Sequence, residues 1–369
     1  MNYSILLLAV LATSCTTSSE HNQETFYLGA DLSYVNEMLD CGAEYRSKGE
    51  LVDPYELFGQ QGAKISRIRI WNDPSYWKNY SHYQDVELAI KRSKAAGMQI
   101  LLDFHYSDTW ADPQHQVIPK VWENIKSTNV LADSLYDYTY GTLAALYAKG
   151  LTPEFVQVGN EVNIEIMQDS ANMVVDTIDW NRNLALINSG LKAVSDFNKD
   201  NKMEVDRMIH IAQPENALWW FAEAEKNGIG EYDWIGLSYY PKWSSFGLDS
   251  LGVALDSLIK TYDRDLMIVE TAYPYTLNDV DEANNILGQD AIIPGYPATP
   301  EGQYDFMKRL IEVTSQAGGR GVIYWEPAWV TSNCSTLWGQ GSHWDNATFF
   351  DAENGNEVLP VMEIFKSFK

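Results

Sequence analysis

Two glutamates each close a short apolar run. Glu161 ends EFVQVGNE (Glu154–Glu161) and Glu270 ends DLMIVE (Asp265–Glu270). An ionised carboxylate is costly to bury without a partner, so a buried strand ending in one needs a reason. Either residue alone could cap a strand at the surface or pair with an arginine. Two such strand ends converging on one place would supply what glycosidic hydrolysis requires. One carboxyl protonates the leaving oxygen and the other acts as nucleophile or base.

Converging strand ends call for a parallel sheet, and the chain has the rhythm of one. Short β-type runs alternate with helical patterns, as in βα units. The runs are Phe26–Asp31, Lys64–Ile70, Gln99–Phe104, Glu154–Gly159, Arg207–Ala212, Asp233–Ser238, Asp265–Glu270 and Gly321–Glu326. Eight in succession is the count of a (β/α)₈ barrel, whose active site lies at the C-terminal strand ends. Helices are expected over Asp85–Gly97, Ser134–Gly150 and Gly302–Gly319, each closed by a glycine suited to a C-cap. The longest loops, Thr271–Pro300 and Pro327–Asp351, follow the seventh and eighth strands, and loops of that length are usually functional.

The C-terminal ends of these strands carry Asp31, Arg69 with Trp71, Asp103 with His105, Asn160 with Glu161, Tyr239 with Tyr240, Glu270, and Trp325 with Glu326. Polar and aromatic groups gathered at one end suit a sugar-binding cleft. The 13 tryptophans and 22 tyrosines exceed what the core needs, and aromatic rings in excess often serve as stacking platforms for sugars. A formal charge of −25 argues against nucleic acid and against anionic membrane surfaces as partners.

Several segments resemble the endo-β-1,4-galactanases of glycoside hydrolase family 53, within the large clan of retaining (β/α)₈ glycosidases. They are GADLSYV (Gly29–Val35), RIRIWNDP (Arg67–Pro74), DFHYSDTWADPQHQ (Asp103–Gln116) and ETAYPYT (Glu270–Thr276), supported by WIGLSYYP (Trp234–Pro241) and YWEPAW (Tyr324–Trp329). The Asn160-Glu161 pair alone marks only the clan, whereas the DFHYSDTWADP segment is far more specific. The resemblance implies that Glu161 is the general acid/base and Glu270 the nucleophile. It implies that Arg69 holds Glu270 ionised, that Asn160 bonds the sugar 2-hydroxyl, and that Tyr239 or Tyr240 donates to Glu270. Trp325 would floor the central subsite, with Asp103, His105, Asp108 and Trp110 extending substrate binding. The implied activity is internal cleavage of β-1,4-galactan with retention of configuration, by a monomer. A clan relative acting on mannan or cellulose is the alternative enzyme, and a non-catalytic glycan-binding lipoprotein the alternative of another class.

Asp279, Asp281 and Asn285 offer oxygen ligands at intervals that suit calcium. Bacterial members of the resembled family hold calcium between the seventh and eighth loops, which makes Ser342 and Asp345 the second half of the site. Ala283 stands where a histidine side chain is expected in that pattern. Cys41 follows the first strand and Cys334 the eighth, neighbours in a closed barrel, so a disulfide is expected between them. Residues 1–14 read as an export signal with its apolar run over Ile5–Val10, and Cys15 as the lipidated residue of a bacterial lipoprotein, although no Lys or Arg precedes the run. Residues 15–25 would be a flexible tether and 26–369 one barrel domain, held by its lipid anchor at the bacterial cell envelope, on the outer-membrane surface, with β-1,4-galactan or pectic galactan side chains as its partner.

Overall fold

The computed structural model describes residues 25–336 and 339–368. The expected signal at 1–14, Cys15 and nearly all of the tether lie outside those residues. Eight parallel strands close into a barrel. They are β1 (Tyr27–Asp31), β2 (Ile65–Ile70), β3 (Gln99–Phe104), β4 (Phe155–Val158), β5 (Asp206–Ala212), β6 (Trp234–Ser238), β7 (Asp265–Glu270) and β8 (Gly321–Tyr324). Each pairs with its sequence neighbours, and Tyr27 against Gly321 joins β1 to β8 and closes the ring.

Helices α1 (Pro54–Gln61), α2 (Tyr83–Ala95), α3 (Thr128–Tyr147), α4 (Trp180–Asn201), α5 (Pro214–Asn227), α6 (Leu248–Tyr262) and α7 (Pro300–Gln316) follow β1 to β7 in turn. Side-chain caps fix several of their starts: the Asp53 carboxylate accepts from the Glu56 amide, and the Thr299 hydroxyl accepts from the Gly302 amide. α3 begins well before the expected Ser134, because its buried stripe starts at Leu131 and continues through Leu135, Thr139, Leu143 and Leu146.

Side chains alternate along a strand, so every second residue enters the barrel. The lower interior is apolar: Ile65, Leu101, Phe155, Met208, Trp234, Met267, Val269 and Ile323 form one cluster, with Tyr27 packed against it. Two residues further along the same inward rows stand Arg67, Asp103, Gln157 and His210, all buried. The floor of the barrel is thus oil and its mouth is a polar network.

Cys41 and Cys334 are joined by a disulfide, with Cα atoms 5.5 Å apart. It ties the loop after β1 to the loop after β8. Nearby, a small sheet of Arg46–Ser47, Glu50–Leu51, Phe350–Asp351 and Glu357–Val358 links the same two regions. No helix among the described residues is long and apolar enough to cross a membrane.

Candidate active site

Glu161 and Glu270 meet at the barrel mouth: an oxygen of each lies within 4.8 Å of the other, and of a His210 ring nitrogen. Two backbone irregularities aim them. Beyond β4 the chain turns through Gly159 at φ +86° and Glu161 at φ +45°. A side chain at Gly159 would collide with Val162, its Cβ falling 2.5 Å from Cγ1, so glycine is required there. Between β6 and β7 the register slips, and Ser238 pairs with Glu270 where unbroken pairing would bring Val269. Since Met267 and Val269 already point inward, alternation would turn Glu270 outward; the irregularity re-aims it.

The two carboxyls have different neighbours. Glu270 Oε1 is 2.9 Å from Arg67 Nη1, and its Oε2 accepts from the Tyr240 hydroxyl at 3.2 Å. Glu161 Oε1 accepts from the Ser238 hydroxyl at 2.5 Å. Burial raises the pKa of both. Arg67 pulls Glu270 back down, whereas Glu270 itself pushes Glu161 further up. Glu270 therefore loses its proton first and Glu161 keeps the remaining one. That is the division of labour seen when environment separates a carboxyl pair into base and acid.

Arg67 is the hub. Its Nη1 also contacts Asp31 Oδ2 at 2.8 Å, while Nη2 donates to Asp103 Oδ2 at 2.8 Å and to Asn160 Oδ1 at 2.7 Å. This corrects the expectation for Arg69, whose guanidinium pairs with Glu326 Oε1 at 3.0 Å and lies 4.2 Å from the Trp110 ring centroid. Both arginines share the inward face of β2, but Arg69 stands one layer nearer solvent and reaches across β1 to the end of β8. Of the two tyrosines offered as donor to Glu270, Tyr240 is the one that meets it; adjacent residues face opposite ways, so the Tyr239 hydroxyl donates to the Phe246 carbonyl at 3.0 Å, and the substrate contact expected of Tyr239 is corrected.

A cleft of about 490 Å³ lies over the pair, lined by Trp110, Asn160, Gln213, Tyr240, Trp325 and Trp344, with Trp243 at its edge. Asn160 presents its amide there while one Nδ2 hydrogen is held by the Ala111 carbonyl at 2.8 Å. Trp325 packs edge-on against Trp344 at 4.6 Å. Three other residues expected to contact substrate do not line this cleft. Asp103 is fully buried between Arg67, Gln157 Nε2 at 2.6 Å and His105. His105 gives Nε2 to Asp103 and accepts at Nδ1 from Trp71 and from the Ala111 amide, so it supports the segment that carries Trp110. Asp108 accepts from the amides of Asp73 and Lys120 and lines a separate depression. Their polar atoms are spent on protein partners.

Sequence reasoning missed Arg67, Gln157, His210, Ser238 and Gln213. The first four sit inside strands at inward positions, where a polar residue interrupting an apolar run is the available signal. Gln213, at φ +67° directly after β5, accepts from the Tyr240 amide.

Of the expected metal ligands, Asp281, Ser342 and Asp345 come together. The Thr331 hydroxyl lies 2.9 Å from Asp281 Oδ2 and 2.7 Å from Asp345 Oδ2, and the Ser342 amide donates to Asp281 at 2.8 Å. Asp345 Oδ1 is buried without a hydrogen-bond partner. A Cβ on Gly341 would fall within 2.5 Å of the Asp281 carboxylate, so only glycine leaves room for this cradle. Asp279 is turned onto Asn285, accepting from its amide and its Nδ2 at 3.0 Å. The Ser342 hydroxyl donates to the Trp329 carbonyl at 2.6 Å. An all-oxygen set with one orphaned carboxylate oxygen fits a hard cation such as calcium.

Among characterised proteins, the chain is 51% identical over 359 residues to the arabinogalactan endo-β-1,4-galactanase of Cellvibrio japonicus (strain Ueda107), covering 97% of this chain and 95% of that one. It is 34% identical over 323 residues to the endo-β-1,4-galactanase of Bacillus subtilis (strain 168), covering 84% and 72%. The Ignisphaera aggregans GH53 catalytic domain superposes with a TM-score of 0.83 at 28% identity, covering 92% of this chain and 95% of that one. The profile of glycosyl hydrolase family 53 matches residues 27–365, the whole barrel together with the loop after β8, and the chain belongs to that family.

Proposed function

We propose that this protein is an endo-acting, retaining glycoside hydrolase that cleaves β-1,4-galactan, with Glu270 as nucleophile and Glu161 as general acid/base. The observation that carries the reading is the approach of the two carboxyls to within 4.8 Å. Retaining enzymes hold the pair about 5–5.5 Å apart, whereas inverting ones leave room for a water at about 6.5–9.5 Å. In the first half-reaction Glu270 attacks the anomeric carbon, and Glu161 gives its proton to the departing glycosidic oxygen. In the second, Glu161 takes a proton from the incoming water, which attacks the glycosyl–Glu270 ester and frees the carboxylate. Arg67 and Tyr240 steady the charge on the Glu270 carboxylate before it attacks and again as the ester releases it. Asn160, beside Glu161, is placed for a sugar 2-hydroxyl. The tryptophans of the cleft offer flat apolar faces to the galactose rings.

The loop cradle supports a structural calcium ion held by Asp281 and Asp345, with Ser342 and main-chain oxygens completing the set. Its contribution would be to fasten the loops after β7 and β8 beside the cleft, away from the reacting atoms. The sequence before the barrel supports lipid attachment at Cys15 and a cell-envelope location.

Reducing-sugar release from galactan, mannan and cellulose tests the specificity, and NMR of the first anomer formed tests the stereochemistry. Galactan alone should be cut, giving the β-anomer first. Glu270→Ala should be inactive yet folded. Preferential attack on mannan or cellulose, or an initial α-anomer, would overturn the proposal.

A further inference from the structure

Ser238 and His210 are buried, polar and unused by the reaction as described. The Ser238 hydroxyl has one proton and two close neighbours: Glu161 Oε1 at 2.5 Å and His210 Nε2 at 2.8 Å. Whichever neighbour cannot accept must donate. The other side of the imidazole settles which. His210 Nδ1 faces the Glu161 amide at 3.3 Å and Gln157 Nε2 at 3.0 Å, both of which can only donate. Gln157 Nε2 gives one hydrogen to Asp103 at 2.6 Å, and its other points either at Nδ1 or at Asn160 Oδ1, 3.1 Å away. The third neighbour of Nδ1, Asn160 Oδ1 at 2.9 Å, accepts from Arg67 at 2.7 Å, and with the Gln157 hydrogen both its lone pairs are filled. Nδ1 is therefore the acceptor and the ring proton sits on Nε2.

We propose that His210, as the Nε2–H tautomer, acts through Ser238 to keep the acid proton of Glu161 on Oε2, the oxygen free to face the substrate. His210 donates to Ser238, Ser238 must then donate to Oε1, and Oε1 cannot carry the proton. Oε2 has no hydrogen-bond partner among the described residues. The same oxygen gives the proton to the leaving group and later receives one from water, so the dyad keeps one polarity through both half-reactions. With the opposite tautomer Ser238 would donate to His210, and the proton of Glu161 would be drawn to Oε1, away from the cleft.

The charges facing the assembly agree with a neutral ring. Arg67, Asp103 and His105 surround His210, and burial followed by Arg67 lowers its pKa well below the usual range. Glu161 faces Glu270, Asp112 and Arg67. His210 and Ser238 are positioning residues.

The inference rests on Glu161 being the acid, and its test separates the two. kcat/KM is measured against pH on galactan and on an aryl galactoside with a dinitrophenolate leaving group, which needs no proton. Ser238→Ala should lose about ten- to a hundredfold on galactan, the worth of a hydrogen bond to a charged group, and far less on the aryl substrate. Its basic limb should move to higher pH, because the ionised form of Glu161 loses a donor. Ser238→Thr, which keeps the hydroxyl, should restore both. His210→Asn, too short to reach Ser238, should shift the limb in the same direction, and combining it with Ser238→Ala should add nothing. Equal losses on both substrates with the basic limb in place, in either single variant, would overturn the proposal. Normal galactan turnover by Glu161→Gln would instead overturn the acid assignment.

Discussion

Replacing Arg67 by lysine should move the acid limb of the pH–rate profile upward, whereas the same change at Arg69 should leave it in place. Arg67 is 1% exposed and touches Asp31, Asp103, Glu270 and Asn160 at 2.7–2.9 Å through two nitrogens set in one plane. A lysine keeps the charge but offers a single nitrogen, which cannot hold that fork geometry. Burial, Asp31 and Asp103 all push the Glu270 pKa up, and among its charged neighbours Arg67 is the one that lowers it. Loss of one charge-assisted hydrogen bond is worth about 1.5–3 kcal/mol, or roughly ten- to a hundredfold in the ionised fraction at pH below the limb. The profile of kcat/KM reports the free enzyme and is the right assay. Galactan hydrolysis by Arg67→Lys should fall steeply at acid pH and recover as the pH rises. Arg69→Lys loosens the contact with Glu326 and the stack on Trp110, so its effect should fall on KM. A folded Arg67→Lys enzyme with an unmoved acid limb, or an Arg69→Lys enzyme whose limb moves as far, would refute this assignment of the two arginines.

Two further outcomes follow from the same geometry. Glu161 has a folded pKa above its unfolded value, so its neutral form favours the native state at low pH and that advantage is lost as pH rises through the folded pKa. Glu161→Gln should therefore gain in melting temperature over the parent at pH 8–9 and not at pH 4; parallel melting profiles across that range would contradict it. Chelation should lower the melting temperature of the parent but not of Asp281→Ala, since free ion at 100 times its dissociation constant stabilises by about 2.7 kcal/mol. An unchanged curve with no metal in elemental analysis would leave the cradle without an ion.

The barrel was legible because each strand is a short apolar run ending in a change of chemistry, and strands of four to seven residues are too short for a helix. The catalytic pair was legible for the same reason: a glutamate closing such a run is conspicuous. Depth was not. Arg67 and Arg69 have the same parity on β2, and only the stagger of the closed barrel tells which one stands level with Glu270. Nor could alternation alone place Glu270, which depends on the slipped pairing with Ser238. His210 lay hidden inside RMIHIA, where a lone histidine in an apolar run reads as core. Asp108 looked available because the sequence of a loop does not show which amides its carboxylates will satisfy.

The bond between Cys41 and Cys334 has a consequence for damage. A protease that cuts any loop between Gly42 and Asn333 divides the chain without dividing the molecule, because the two pieces remain joined where the first and last turns of the barrel meet. The exposed loops that shape the cleft are the places where such a cut falls. Nicked enzyme would then run as one band on a denaturing gel and as two only after reduction, with its strands still held in order around the ring.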